Sequence, residues 1–324
     1  MVPALMRLYR LLLRALPPAR RDPRDARPRH RRLVSLTTCW IPARRYNAAV
    51  PARVSFVLLS LLALSAAVPA ASRPRTIFAD DFDGHELDRY HWNVIVTGRT
   101  VNNEQQAYVD SEEVLSVSGG ALTIRPRFRQ GFKTPEGRSF DFISGRIDTR
   151  SKVTFTYGTA AARMKLPAGA GLWPAFWALG EGRWPDTGEI DIMENVGDPA
   201  WTSVALHGPG YFGDTPLVKR APFAGRRTAT DWHVYAVDWT PEALVFRVDK
   251  REVYRVTRAM VEAHGRWAFD NPKHVILNLA LGGNYPAKVN GARRPYHGLT
   301  DAAVQSIKND DVKVVVDWVR VTAR

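Results

Sequence analysis

Residues 188–195 read Gly-Glu-Ile-Asp-Ile-Met-Glu-Asn, three carboxylates set among isoleucines and a methionine. In a strand, residues i and i+2 share a face, so Glu189 and Asp191 point one way and Ile190 and Ile192 the other. Strict alternation would carry Glu194 into the apolar side, where an unpaired carboxylate is costly. One extra residue, a β-bulge around Ile192–Met193, would return it to the acidic face. Glu189 and Glu194 are then about four strand steps apart, roughly 13 Å between Cα atoms. Side chains leaning together could bring the carboxyls to the ~5–5.5 Å that double displacement at an acetal needs. Three carboxyls this close cannot all ionise cheaply, which can keep one protonated beside one that is charged. That is the equipment of a general acid next to a nucleophile. Two plainer readings of E-x-D-x-x-E are a surface strand with an acidic outer face and a calcium site, since clustered carboxylates also suit hard cations.

Aromatic residues surround the acids. Trp173, Trp177 and Trp184 precede Glu194 within 21 residues, and His207 follows. Sugar rings stack their C–H faces on indoles, while their hydroxyls need polar partners, so a Trp-lined groove beside carboxylates suits a polysaccharide. Trp184, in a Gly/Pro-rich loop, is expected to face ligand. Trp173 and Trp177 share strand parity, so both line the groove or both are buried. His207 is a ligand contact or a satisfied polar residue. Trp92, Trp232, Trp239 and Trp318 sit in apolar strand contexts and are expected in the core.

The elements around these residues are short strands punctuated by turns. Segments 154–166, 203–208, 232–239, 274–281 and 312–321 are rich in β-branched and aromatic residues. Residues 244–249 and 252–256 predict a hairpin connected at Lys250–Arg251. Turn signals stand at 118–120, 167–171, 181–188 and 281–286. Helical periodicity is scarce, with Arg258–His264 the best candidate. Strands without intervening helices predict an all-β fold, a single sandwich of two large antiparallel sheets, of which the jelly roll is a common form.

The chain of 324 residues has a net charge of +14, but the charge is not spread evenly. Residues 1–53 carry thirteen arginines against Asp22 and Asp25, residues 54–70 carry none, and 71–324 are left with only +3. A basic groove for nucleic acid is therefore excluded as a main function. Residues 1–53 form a basic leader without periodicity, expected to be disordered, with a start codon further downstream as one explanation of its length. Residues 54–70, with an apolar run of fifteen followed by small residues near Ala70, resemble a signal peptide. An uncleaved anchor is the alternative, although fifteen helical residues reach only about 22 Å. The expectation is a secreted protein whose mature part, 71–324, is one domain with no stable membrane insertion. Its only cysteine, Cys39, lies in the leader, so the mature part has no disulfide framework.

The segment GLWPAFWALG…WPDTGEIDIMEN resembles glycoside hydrolase family 16, in particular its laminarinase-like endo-β-1,3-glucanases. Further similar stretches are FADDFDG (78–84), VNNEQQAY (101–108), SGRIDTR (144–150), ALHGPGY (205–211), HVILNLALGGNYP (274–286) and VVDWVRV (315–321). The resemblance implies a concanavalin A-like β-jelly roll whose concave sheet forms an open cleft. It implies Glu189 as nucleophile, Glu194 as general acid/base and Asp191 as the carboxylate assisting between them. Trp184, Asn103, Arg146 and His207 match positions that commonly line this cleft, and Trp173 and Trp177 stand beside them as substrate-binding candidates on the residues alone. A structural calcium would fall to Asp81, Gly120 and Asp317, with no cofactor needed for catalysis. The implied partner is β-glucan, either β-1,3 or mixed β-1,3/1,4, handled by a monomer. A transglycosylase and a non-catalytic glucan-binding protein on the same scaffold are the competing functions. The chain departs from the family at Tyr285 and Ala287, where relatives often have Trp and Gly; this bears on a sugar contact and not on the chemistry.

Overall fold

The computed structural model describes residues 75–97 and 101–323. The expectations for the leader, the export segment and Cys39 lie outside the described residues. In chain order the strands are β1 (Arg75–Asp80), β2 (Asn93–Val94), β3 (Gln106–Tyr108), β4 (Leu115–Val117), β5 (Leu122–Ile124), β6 (Arg127–Lys133), β7 (Ser139–Ser144), β8 (Arg146–Asp148) and β9 (Gly158–Lys165). They continue with β10 (Leu172–Gly180), β11 (Glu189–Glu194), β12 (Trp201–His207), β13 (Val218–Pro222), β14 (His233–Trp239), β15 (Ala243–Val248), β16 (Arg251–Thr257), β17 (Lys273–Leu281) and β18 (Val314–Ala323). The helices are α1 (Arg258–Glu262), α2 (Asn284–Asn290) and α3 (Asp301–Lys308).

Alternation builds the sandwich. In β9, Gly158, Ala160, Ala162 and Met164 are buried while Thr159, Ala161, Arg163 and Lys165 are half-exposed, as a period of two requires. One sheet has eight strands in the order β16-β15-β14-β9-β18-β5-β4, with β1 also paired to β18. The other has seven, ordered β13-β12-β11-β10-β17-β8-β2. Between them lies a continuous core that includes Tyr235, Val237, Trp239, Phe246 and Val321 from the first sheet and Phe176, Ile190, Leu206, Leu277 and Leu279 from the second. Non-consecutive neighbours such as β9-β18 and β10-β17 give the crossed connections of a jelly roll. The expected pair of antiparallel sheets is thus present. A third, three-stranded sheet β3-β7-β6 was not foreseen, and its β3–β7 pair runs parallel.

Several local expectations need correction. The β15–β16 hairpin turns at Asp249–Lys250, one residue earlier than expected, because both adopt positive φ (50° and 70°) as a two-residue hairpin loop of the primed type demands. Helix α1 matches the helical candidate at its N-terminus, where Thr257 accepts a hydrogen bond from the Met260 amide. Helices α2 and α3 were not expected. In α3, Thr300 caps the N-terminus and Ala303, Val304 and Ile307 face the core, but eight residues show too little of the 3.6-residue period to stand out. In α2, Pro286 falls in the first turn, where its missing amide has no intrahelical partner to lose.

The tryptophans divide. Trp92 and Trp239 are fully buried, with indole N–H groups donating to Asp80 Oδ2 (2.7 Å) and Phe269 O (3.0 Å). Trp232 and Trp318 are not core residues. They lie half-exposed, with Arg163 and Lys165 over the Trp232 ring at 4.5 and 5.1 Å and Arg320 over Trp318 at 4.5 Å. A cation above an indole covers its face without needing the core, which strand composition alone does not reveal.

Candidate active site

The acidic strand β11 contains the expected bulge. Against β12, Asp191 opposes Ala205 and Glu194 opposes Ser203, three steps on one strand against two on the other. Against β10, Asp191 pairs with Trp177 but Met193 with Phe176. The inserted residue lets Ile190, Ile192 and Met193 all be buried at 1% exposure or less. It also leaves Glu189, Asp191 and Glu194 on the outer face of the seven-stranded sheet, level with Trp177, Ala175 and Leu179 of β10. Gly188, just before the first acid, has φ of +73°, and a Cβ there would lie 2.4 Å from Ala268 O, so the loop reaches β11 only because this residue lacks a side chain.

Each glutamate has its own indole donor. Trp184 Nε1 donates to Glu189 Oε2 at 2.6 Å, and Trp173 Nε1 donates to Glu194 Oε1 at 2.8 Å. Asp191, only 3% exposed, lies between them; it is hydrogen-bonded to Glu189, and its Oδ2 is 3.1 Å from His207 Nε2. Glu189, Asp191 and His207 place one polar atom each within 4.8 Å of the others.

Burial decides the electrostatics. Desolvation, then the charge of Asp191, raises Glu189 to about 8 against the help of His207 and the Trp184 N–H. Desolvation and the charge of Glu194 push Asp191 well above the ordinary carboxylate range. Desolvation also raises Glu194, with the Trp173 N–H and His207 opposing it. The three groups therefore carry fewer than three charges near neutrality.

The other expected residues are distributed along the same face. Trp177 donates to Asn278 Oδ1 at 2.8 Å, and the Arg146 guanidinium lies 4.9 Å over the Trp177 ring. Trp173 and Trp177 thus both line the trough, which resolves the parity question. Trp184, 44% exposed, packs edge-on to Phe212 at 5.4 Å and tilts toward His207 at 6.5 Å. Asn103 is exposed, with φ of +59°, in the loop whose Asn102 O accepts from the Asn284 amide at 2.7 Å, next to Gly283 and the Trp173 ring.

Sequence reasoning missed several neighbours. Asn278 Nδ2 donates to Tyr108 Oη at 3.2 Å, and Gln106 Nε2 donates to Glu104 Oε2 at 2.8 Å. Burial raises Glu104, against the nearby Arg146 charge. Asn278 sits in the alternating run 274–281, whose outward parity was a signal that it would share a face with Trp177. Tyr285 Oη lies 3.3 Å from Ser203 Oγ, and its ring packs edge-on to Trp173 at 5.6 Å.

Asp81, Gly120 and Asp317 fall on the opposite sheet, where β1 and β5 flank β18. Asp81 pairs with Arg320 at 2.6 Å and Asp317 with Arg163 at 2.7 Å. Each of these carboxylates thus has a guanidinium partner, which a calcium ion at the expected site would have to displace.

The chain is similar to a β-glucanase of Rhodothermus marinus, 36% identical over 221 residues that span 64% of this chain and 75% of the relative. It is 32% identical over 279 residues to glucan endo-1,3-beta-glucosidase A1 of Niallia circulans, covering 78% of this chain and only 38% of that longer protein. Among solved structures, the endo-β-1,3-glucanase of Pyrococcus furiosus superposes with a TM-score of 0.67 at 33% identity, over 77% of this chain and 94% of that one. Residues 89–320 match the profile of Glycosyl hydrolases family 16. A bulged acidic strand in the seven-stranded sheet of a jelly roll, together with a match over most of the described chain, leads to one conclusion: this protein belongs to glycoside hydrolase family 16.

Proposed function

We propose that the protein cleaves β-1,3-glucan, or mixed β-1,3/1,4-glucan, at internal bonds with retention of configuration. The observation that carries this reading is the bulge, which turns Glu189 and Glu194 to one trough under separate indole donors. The relatives' names, β-glucanase and endo-1,3-β-glucosidase, support the substrate class. An open trough lined by Trp173, Trp177 and Trp184 suits the middle of a sugar chain.

In the first step Glu194, protonated by burial, gives its proton to the leaving glycosidic oxygen while Glu189 attacks the anomeric carbon. Glu189 is the member suited to bear charge, because the Trp184 N–H points at it and Asp191 can hold a proton. Asp191 has no such N–H hydrogen bond at Oδ2, is the more buried of the two, and so takes the neutral role. In the second step Glu194 acts as base on water, and the sugar leaves in its original configuration.

The test is a panel of laminarin, curdlan, lichenan, agarose and xyloglucan with wild type and Glu189→Gln. Wild type should act on the first three, and the variant should lose at least about 10³-fold in kcat. Proton NMR of the first product should give the β anomer. Near-normal turnover by the variant, or an α anomer, would eliminate the assignment. Sizing of the products separates hydrolysis from transfer to a sugar acceptor.

A further inference from the structure

Lys273, the first residue of β17, is fully buried, a costly place for an ammonium group with no carboxylate in hydrogen-bond contact. Its Nζ instead donates to Thr187 O at 2.7 Å, Asn271 Oδ1 at 2.9 Å and Ala268 O at 3.2 Å. The rings of Trp239 and Phe269 lie 5.4 and 5.5 Å from the same nitrogen. Burial pulls the amine down to about 7; as the ammonium its three donors meet three acceptors, and two aromatic faces supply further stabilisation of the charge.

The acceptors show what this group joins. Thr187 is the penultimate residue of the 181–188 loop, two residues before Glu189 and three after Trp184, while Ala268 and Asn271 belong to the segment leading into β17. Arg266 Nη2 adds a bond to Asp186 O at 2.9 Å. Gly188 lies so tightly on this segment that a Cβ would meet Ala268 O at 2.4 Å. Within the loop, Asp186 N to Arg183 O and Gly188 N to Pro185 O close the turn, and Gly180 N to Gly188 O and Thr187 Oγ1 to Gly180 O, both 3.3 Å, tie it to the end of β10; the tie to β17 is left to Lys273 and its neighbours. Removal of Lys273 would take the donor from Thr187 O on the loop side, while Ala268 O would keep only its bond from Asn271 Nδ2 at 3.0 Å.

We propose that Lys273 is a positioning residue for the reaction: its ammonium clamps the 181–188 loop to the head of β17 and so aims the Trp184 indole at Glu189. The proposal rests on Glu189 being the nucleophile. Methionine in its place would fill the volume and keep the packing, but would supply no donor.

A double-mutant cycle tests it with wild type, Lys273→Met, Trp184→Phe and the double variant, each with kcat, KM on laminarin and a melting temperature. Lys273→Met should lower kcat about tenfold with a smaller change in KM. In the Trp184→Phe background the same change should cost less than about twofold, since the group it positions is already gone. The Trp184 indole N–H resonance, identified by its absence in Trp184→Phe, should move upfield in Lys273→Met as its hydrogen bond loosens. Undiminished kcat in Lys273→Met, a multiplicative loss in the double variant, or an unmoved resonance overturns the proposal. Should Lys273→Met fail to fold, Asn271→Ala removes one acceptor and should shift kcat and the resonance in the same direction by less; no shift there sinks the idea as well. Full activity of Glu189→Gln would instead remove the reading of Glu189, which the cycle does not measure.

Discussion

At the scale of single residues, Glu189 joins catalysis to instability. Its pKa is about 8 in the fold against an ordinary 4.5, so the folded protein binds its proton more tightly than the unfolded chain does. Its contribution to stability is present below about pH 4.5 and is lost as pH rises through about 8. Glu189→Gln removes that loss. Its melting temperature should match wild type near pH 4 and exceed it by about 2 °C or more at pH 8.5, an amount that about 1 kcal/mol produces in a domain of this size. Thermal melts at the two pH values decide this, and an equal difference at both would show that the cluster is not strained by charge.

At the scale of elements, the bulge in β11 does what no single side chain can. Without it, Glu194 would pass to the core face among Phe176, Ile190 and Val204. Deletion of Ile192 leaves Glu-Ile-Asp-Met-Glu, in which simple alternation keeps all three acids on the outer face but moves Glu194 relative to Glu189 and Trp173; it should lower turnover at least about tenfold, and lower the melting temperature by several degrees through the lost core side chain. A circular dichroism melt together with a reducing-sugar assay checks both, and undiminished turnover would mean that the extra residue does not set the spacing of the acids. The acidic strand, the bulge position and most strands were legible because alternation with period two is strong even over six residues. Helices α2 and α3 were not, because seven or eight residues hold barely two turns and their caps look like ordinary loop chemistry.

At the scale of the molecule, the two sheets hold their polar residues in different ways. The seven-stranded sheet gathers carboxyls, indoles and amides into one connected trough. On the other sheet, outward residues form compensated pairs, Arg163–Asp317, Arg320–Asp81 and Arg247–Asp238. Because guanidinium groups already balance Asp81 and Asp317, the melting temperature should stay within about 1 °C when calcium is added or EDTA removes it. A calcium-dependent rise of several degrees, measured by differential scanning fluorimetry, would support the metal site that the sequence suggested.

Residue types and their order determined the acids, the need for an extra residue between them, the aromatic neighbourhood and the β-sandwich class, since each of these is local and periodic. Which aromatics line the trough was a matter of tertiary structure. Trp173 and Trp177 face it because β10 pairs with both β11 and β17, while Trp232 and Trp318 find arginines on the opposite surface. The same holds for Lys273 and Asn278, whose partners lie 86 and 170 residues away in sequence. A contact that closes such a distance depends on how strands order themselves in a sheet, and no window of sequence contains that information.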